Sequence, residues 1–339
     1  MRYVTFGEIM LRLSPRGYKR FVQAEGFDAI YAGAEANAAV SLACFGCDVS
    51  FVTKLPENEL GASAANMLSR YGVDISDIVT GDGRLGIYFY ENGVGHRPGK
   101  VIYDRAGSTV ARAERREFDW KKIFKNAGWY HYTGITPAVS ESAAEITFDS
   151  VSEAKKLGLT VSCDLNYRSM LWSKTEAQSV MKRLSHYSDI IITNLDQAYD
   201  VLAICPAEGA APESDRAYIS VSRQIAKEYG CRTVAYTSRK SFSASHNAIS
   251  GLLYDAVSDR LFRSVEYDIT QIVERIGGGD SFGAGLIYGI SRGFGPQRAI
   301  DFAVAAECLK HTVEGDFNIC TVEEIEKLLS SDGTVRVIR

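Results

Sequence analysis

The run Ile276-Gly277-Gly278-Gly279-Asp280-Ser281-Phe282-Gly283-Ala284-Gly285 holds the residue types that most directly suggest chemistry. Its consecutive glycines remove every Cβ where a loop enters a helix, so backbone amides can converge on an anion. The positive end of the helix dipole falls at the same place. A phosphoryl group in transfer spreads negative charge over its oxygens and is stabilised by such a cradle. Asp280, beside it, can accept a proton from an attacking hydroxyl. The same residues also make an ordinary tight turn with Asp280 as a helix cap, and composition alone leaves both readings open.

Other chemical signatures fall away on spacing. Gly93-Val94-Gly95-His96-Arg97-Pro98-Gly99-Lys100 is one residue too long for a P-loop, and Val101 replaces the hydroxyl residue that would bind magnesium. No G-x-G-x-x-G follows the first strand, so nicotinamide binding lacks its fingerprint. Cys44 and Cys47 form a C-x-x-C that closes an alanine-rich helix, without a second pair or a histidine to complete a zinc set. His96, His131 and His311 have no metal-ligand spacing, and no metal ligand is assigned directly.

The elements that must position Asp280 alternate. Strands are expected at Tyr3–Gly7, Val49–Thr53, Ile75–Val79, Trp129–Tyr132, Thr160–Asp164, Ile190–Thr193 and Thr233–Tyr236. Helices are expected at Ala34–Phe45, Leu60–Tyr71, Ser140–Leu157, Thr175–Leu184, Ile219–Tyr229, Ser281–Arg292, Pro296–Thr312 and Val322–Leu329. This alternation predicts an α/β fold: a doubly wound, mostly parallel sheet with helices on both faces. The rhythm breaks at Ile87–Tyr90 and Lys100–Arg105, two strands around a glycine-rich turn. With Ile9–Leu13 and Phe21–Gln23 they form a small β lid, inserted as residues 9–32 and 84–111 of one domain over 1–339. Hairpin-like material is expected from Ser241 to Val265.

Composition narrows the partners. The 339 residues carry 38 basic and 42 acidic side chains, a net charge of −4 that gives no reason to expect nucleic acid or an anionic membrane. No apolar run approaches the roughly 18 residues that span a bilayer. Glu8 interrupts what would be the core of a signal peptide, and the seven scattered cysteines suit reduced thiols in a cytoplasmic protein.

Two segments together carry a family resemblance. Glu274–Phe282 resembles the C-terminal D-T-x-G-A-G-D-x-F signature of PfkB, or ribokinase-like, carbohydrate kinases. Gly33-Ala34-Glu35-Ala36-Asn37-Ala38-Ala39 resembles their N-terminal G-G-x-x-x-N-x-A segment, with Ala32 at the first glycine. The resemblance implies that Asp280 is the catalytic base, that the amides of Gly277, Gly278 and Gly279 form an anion hole, and that Gly33 and Asn37 meet the sugar. It implies ATP and Mg²⁺ as cofactors, with a monovalent cation as a further candidate near Glu274, which stands where many members have aspartate. Asn194-Leu195-Asp196-Gln197 matches the family's N-x-x-E motif except that Gln197 replaces the glutamate that anchors magnesium through its outer shell. Asn194, Gln197 and Ser238 are the expected nucleotide contacts, although Thr237–Lys240 reads equally as a solvated basic turn. A homodimer through the lid strands is also implied.

The substrate reading rests on arginines and tyrosines. Asp164-Leu165-Asn166-Tyr167-Arg168 resembles the D-x-N-x-R segment of 2-keto-3-deoxygluconate kinases within that family. An arginine fork at the edge of a sheet suits the carboxylate of a sugar acid, which neutral sugars lack. Arg105 would supply a second guanidinium, and Tyr88 and Tyr103 would stack on or hydrogen-bond the sugar. The expected reaction is therefore ATP-dependent phosphorylation of a sugar acid's terminal hydroxyl, giving 2-keto-3-deoxy-6-phosphogluconate from 2-keto-3-deoxygluconate. The alternatives are a kinase of a neutral sugar such as fructose or ribose, and a sugar-acid-binding protein without catalysis.

Overall fold

The computed structural model describes residues 1–330; residues 331–339 of the expected 1–339 domain lie outside them. The chain begins with β1 (Arg2–Phe6), β2 (Met10–Pro15), β3 (Phe27–Ala32), α1 (Ala34–Cys44), β4 (Asp48–Val52), β5 (Lys54–Pro56) and α2 (Glu59–Arg70). The strands β6 (Val79–Gly81), β7 (Ile87–Glu91) and β8 (Lys100–Asp104) follow, then α3 (Trp120–Ile123), β9 (Ala127–Thr133), α4 (Thr136–Val139) and α5 (Glu141–Lys156). Next come β10 (Thr160–Asp164), α6 (Lys174–Ser185), β11 (Ile190–Thr193), α7 (Leu195–Leu202) and α8 (Asp215–Tyr229). The last part holds β12 (Thr233–Ser243), β13 (His246–Asp255), β14 (Arg260–Arg263), β15 (Tyr267–Ile269), α9 (Gly278–Ser291), α10 (Pro296–Lys310) and α11 (Val322–Ser330).

The main sheet has nine strands in the order β14-β13-β12-β11-β10-β9-β1-β4, with β15 also paired to β13. From β12 to β4 every pairing is parallel, whereas β13 runs antiparallel to its neighbours. Both faces are covered, which is why β11 is a continuous isoleucine run: Ile190 and Ile192 join one apolar cluster and Ile191 the other. The first cluster packs α1, α9 and α10 on the sheet, and the second packs α5, α6 and α8. Two glycines on α9 bring α10 close: a Cβ on Gly285 would lie 2.9 Å from Ala303 Cα, and one on Gly289 3.1 Å from Ala299 Cα. Helix α9 is thereby clamped, and its N-terminus is fixed relative to the sheet.

A separate four-stranded sheet, in the order β3-β2-β7-β8, forms the lid. Its fourth strand is Phe27–Ala32 rather than Phe21–Gln23, which is a single 3₁₀ turn. Residues 27–29 are exposed, so the strand carries no apolar alternation to announce it. The strand expected at Ile75–Val79 forms instead at Val79–Gly81, preceded by a turn. Thr237–Lys240 is not a turn. Strand β12 runs through it to Ser243, paired with β13 from Thr233 to Ser241 and again at Ser243 after a register shift.

Candidate active site

Helix α9 begins at Gly278, with Gly277 as its N-cap at φ +84°, and Asp280 falls in its first turn. A Cβ on Gly277 would lie 1.9 Å from the carbonyl oxygen of Asp316, so glycine is required there by conformation and by space. A Cβ on Gly279 would meet nothing within 4 Å, because that position faces an open cleft. The first-turn amides have no acceptor within the helix and are available to an anion. Asp280 receives a 2.6 Å hydrogen bond from Asn37 Nδ2 on α1, whose Oδ1 accepts from the Gly33 amide. Asn37 thus orients Asp280 and also lines the cleft, where the second hydrogen of its Nδ2 is left for a ligand.

Burial pushes the Asp280 carboxyl up to about 7, with Glu35 and Asp316 adding to the rise; the Asn37 hydrogen bond and Arg168 oppose it. Asp164, at the end of β10, is likewise pushed up to about 7, first by burial and then by the charge of Asp280. A carboxyl near 7 is a competent proton acceptor at neutral pH, and the two acids titrate as a pair.

The cleft has a volume of about 1250 Å³. Gly33, Asn37, Tyr88, Tyr103, Arg105 and Arg168 line it together with Gly277–Asp280, and Asn194, Gln197 and Ser238 line it as well. Arg168 is exposed to the cleft and makes no ion pair among the described residues. Its approach is set by Asn166, whose φ of +38° turns the chain after β10; asparagine tolerates that region better than most side chains. Arg105 is different. It is buried, and both Nε and Nη2 donate to Glu8 Oε2, the Nε bond being 2.7 Å. Glu8 thus offsets the charge of the second guanidinium expected for a carboxylate, through Nε and Nη2, while Arg105 still lines the cleft. The Tyr88 hydroxyl donates to Asp316, and the Tyr88 and Tyr103 rings are 6.0 Å apart.

Beneath the glycine turn lies a buried ionic cluster. Arg12, from lid strand β2, donates to Asp316 and, at 2.6 Å, to Glu274 Oε2. The other oxygen of Glu274 accepts the amides of Arg275 at 2.8 Å and Ile276 at 3.1 Å, which holds the approach to the glycines. Lys310, fully buried on α10, donates to the Val313 carbonyl at 3.3 Å. Burial lowers its pKa, while Glu274 and Asp316 oppose the fall.

Where α7 meets the cleft, Asn194 caps the helix by accepting the Gln197 amide at 2.8 Å. Helix α7 itself was not expected, since its residues read as the N-x-x-E motif rather than as a capped helix. Arg239 on β12 lines the cleft without an ion pair, and Arg275 bonds Asn247 and Ser241. Glu307 on α10 is 4% exposed, lines the cleft and is pushed by burial up to about 7, with Arg239 opposing. Glu8, Arg12, Glu307 and Asp316 were missed in the sequence, whereas Arg239 lies in the run Thr237–Lys240 singled out there. A lone signal existed for Glu307, an acid inside the apolar run Ala303-Val304-Ala305-Ala306-Glu307-Cys308-Leu309.

Residues 2–320 match the pfkB family carbohydrate kinase model. A 2-dehydro-3-deoxygalactonokinase of Haloferax volcanii is 32% identical over 326 residues, covering 96% of each chain. A 2-dehydro-3-deoxygluconokinase of Bacillus subtilis is 26% identical, over 98% of this chain and 96% of its own. The crystal structure of a 2-dehydro-3-deoxygluconokinase from Thermotoga maritima superposes with a TM-score of 0.94 at 46% identity, over 98% of this chain and all of the other.

Proposed function

The chain belongs to the pfkB family of carbohydrate kinases, and from that premise we propose that it transfers the γ-phosphoryl group of ATP to the terminal hydroxyl of 2-keto-3-deoxygluconate. The observation that carries the substrate is Arg168, a guanidinium with no hydrogen bond or ion pair among the described residues, in the same cleft as Asp280 and the glycine turn. Its charge acts on Asp164 and Asp280 only at a distance, and its donor fork is left to be matched by a planar carboxylate. With the carboxylate held there, the far hydroxyl of a six-carbon acid is directed toward Asp280. The hydroxyl oxygen forms the new O–P bond as the bond to the β–γ bridging oxygen breaks, and its proton passes to Asp280. The Gly277–Gly279 amides face the oxygens of the transferring group. Arg105, fixed by Glu8, acts as a wall of the sugar site rather than as its main counter-charge.

ATP is taken with Mg²⁺, which neutralises charge on the phosphates when bound. The residues present fit such a complex: the open Cβ side of Gly279, the first-turn amides, Arg239, Asn194 and Gln197 lie on one cleft. A monovalent cation near Glu274 does not fit. Both carboxylate oxygens there are taken by Arg12 and by the loop amides, and the Arg12 guanidinium already supplies the positive charge. Turnover is expected to be the same in potassium and in tetramethylammonium salts. We place the protein in the cytoplasm as a dimer; its cysteines are free thiols, and no helix among the described residues is long and apolar enough to cross a membrane. The lid edges β3 and β8 expose Phe27 and Ile102, apolar surface that a second copy would cover.

The test is ADP release from ATP·Mg²⁺ with 2-keto-3-deoxygluconate, its C4 epimer, gluconate, fructose and ribose. Turnover on the keto-deoxy acids, abolished in Asp280→Asn, is expected. The epimer is included because the Haloferax relative is named for the galactono substrate. Turnover on fructose or ribose alone would refute the sugar-acid assignment, and sugar binding without ADP release would refute catalysis.

A further inference from the structure

Four acids that line the cleft are at least nine-tenths buried: Glu8, Glu35, Glu307 and Asp316. Three have charged or hydroxyl partners, although Oε1 of Glu8 has none. Glu8 holds Arg105, Asp316 holds Arg12 and Tyr88, and Glu35 accepts the hydroxyls of Thr133 and Thr136. Glu307 has none. No hydrogen bond or ion pair reaches either oxygen among the described residues, and Oε2 is buried without a partner. Leaving a carboxylate buried and unpaired is unfavourable.

Its position explains what it lacks. A Cβ built on Gly278 would lie 3.6 Å from both Cγ and Oε1 of Glu307, so the carboxylate borders the turn that presents the α9 amides. His311, one helical turn on, donates from Nδ1 to the Glu307 carbonyl and leaves Nε2 as a buried acceptor, so it cannot donate to the carboxylate. Arg239, which lines the same cleft, acts on Glu307 through its charge but makes no hydrogen bond or ion pair with it. A carboxylate and a chain of phosphates meeting at one helix terminus repel each other unless a cation lies between them. Magnesium characteristically fills such a place, with one or two carboxylates, phosphate oxygens and retained waters. Gln197, on α7, brings only a neutral amide to the same cleft.

We propose that Glu307 is the carboxylate that holds the magnesium ion of the bound nucleotide, directly or through one coordinated water. This rests on the kinase reading above, and the test separates the two. ADP binding is measured by calorimetry in Mg²⁺ and in EDTA, for the wild type and for Glu307→Gln, a substitution of nearly the same shape. Wild type binds ADP more tightly with Mg²⁺. The variant loses that advantage by on the order of tenfold or more, the range seen when a carboxylate supporting a metal is removed. Its metal-free affinity stays equal or improves, because a repelling charge has gone. Manganese substituted for magnesium gives an independent readout: the signal of protein-bound Mn²⁺ in the ADP complex weakens in the variant. An unchanged Mg²⁺ advantage, or an equal loss with and without metal, overturns the proposal. A wild type that binds no ADP in either condition overturns the kinase reading together with it.

Discussion

Substituting alanine at Gly279 adds a Cβ that meets no protein atom, whereas the same change at Gly277 drives a Cβ into the Asp316 carbonyl at a φ of +84°. Gly279→Ala is therefore expected to fold with unchanged or higher stability, by about 0.5–1 kcal/mol from the lower entropy of the unfolded chain. It loses ATP turnover because the methyl occupies phosphate space. Gly277→Ala loses both, and thermal unfolding beside ADP release distinguishes the two variants. The proposed base, Asp280, is equally specific. Only its deprotonated form accepts the hydroxyl proton, so kcat falls as pH drops below about 7. Removing the neighbouring charge with Asp164→Asn moves that fall to lower pH; a profile that stays in place would contradict the coupling. At this scale the glycine turn, Asp280 and Arg168 were legible because each lies in a short local motif. The pairings Glu8–Arg105 and Arg12–Glu274–Asp316 were not, since the partners are 97 to 304 residues apart in the chain.

The lid and the glycine turn are joined through one buried cluster. Arg12 on β2 reaches both Asp316 and Glu274, and the Tyr88 hydroxyl on β7 also reaches Asp316. Removing one member leaves buried carboxylates without compensation. Arg12→Met is thus expected to cost about 3–5 kcal/mol of stability by denaturant unfolding, and to raise KM for both sugar and ATP. A change confined to the sugar would show that the lid and the turn are independent. Elements buried on both faces, such as β11, were readable from apolar runs. Strand β3 escaped notice because its first half faces solvent, and α7 because its cap residue doubles as a motif residue. The extension of β12 through Arg239 and Lys240 was hidden by polar residues on a strand that leaves the core.

Three acids among the described residues, Asp164, Asp280 and Glu307, are pushed up to about 7, while the same groups in an unfolded chain titrate near 4. Between those values the folded state binds more protons, so their contribution lowers stability as pH rises from about 4 to about 7. Asp280→Asn removes one of them, and its melting temperature should exceed that of the wild type at pH 8 and equal it at pH 4. Such a result would mark the site as one that trades stability for a tuned base. The sequence showed the doubly wound architecture through its alternation, and the lid through the break in that rhythm. It could not show how the lid meets the turn, which depends on long-range ion pairs.

The most direct test of a sugar-acid kinase built around Arg168 is kcat/KM on 2-keto-3-deoxygluconate for the wild type and for Arg168→Ala. Loss of a charged hydrogen-bond pair predicts a fall on the order of 10- to 100-fold, with the fold and ADP binding intact. An unchanged kcat/KM on the acid, or efficient turnover of fructose by both proteins, would contradict the account.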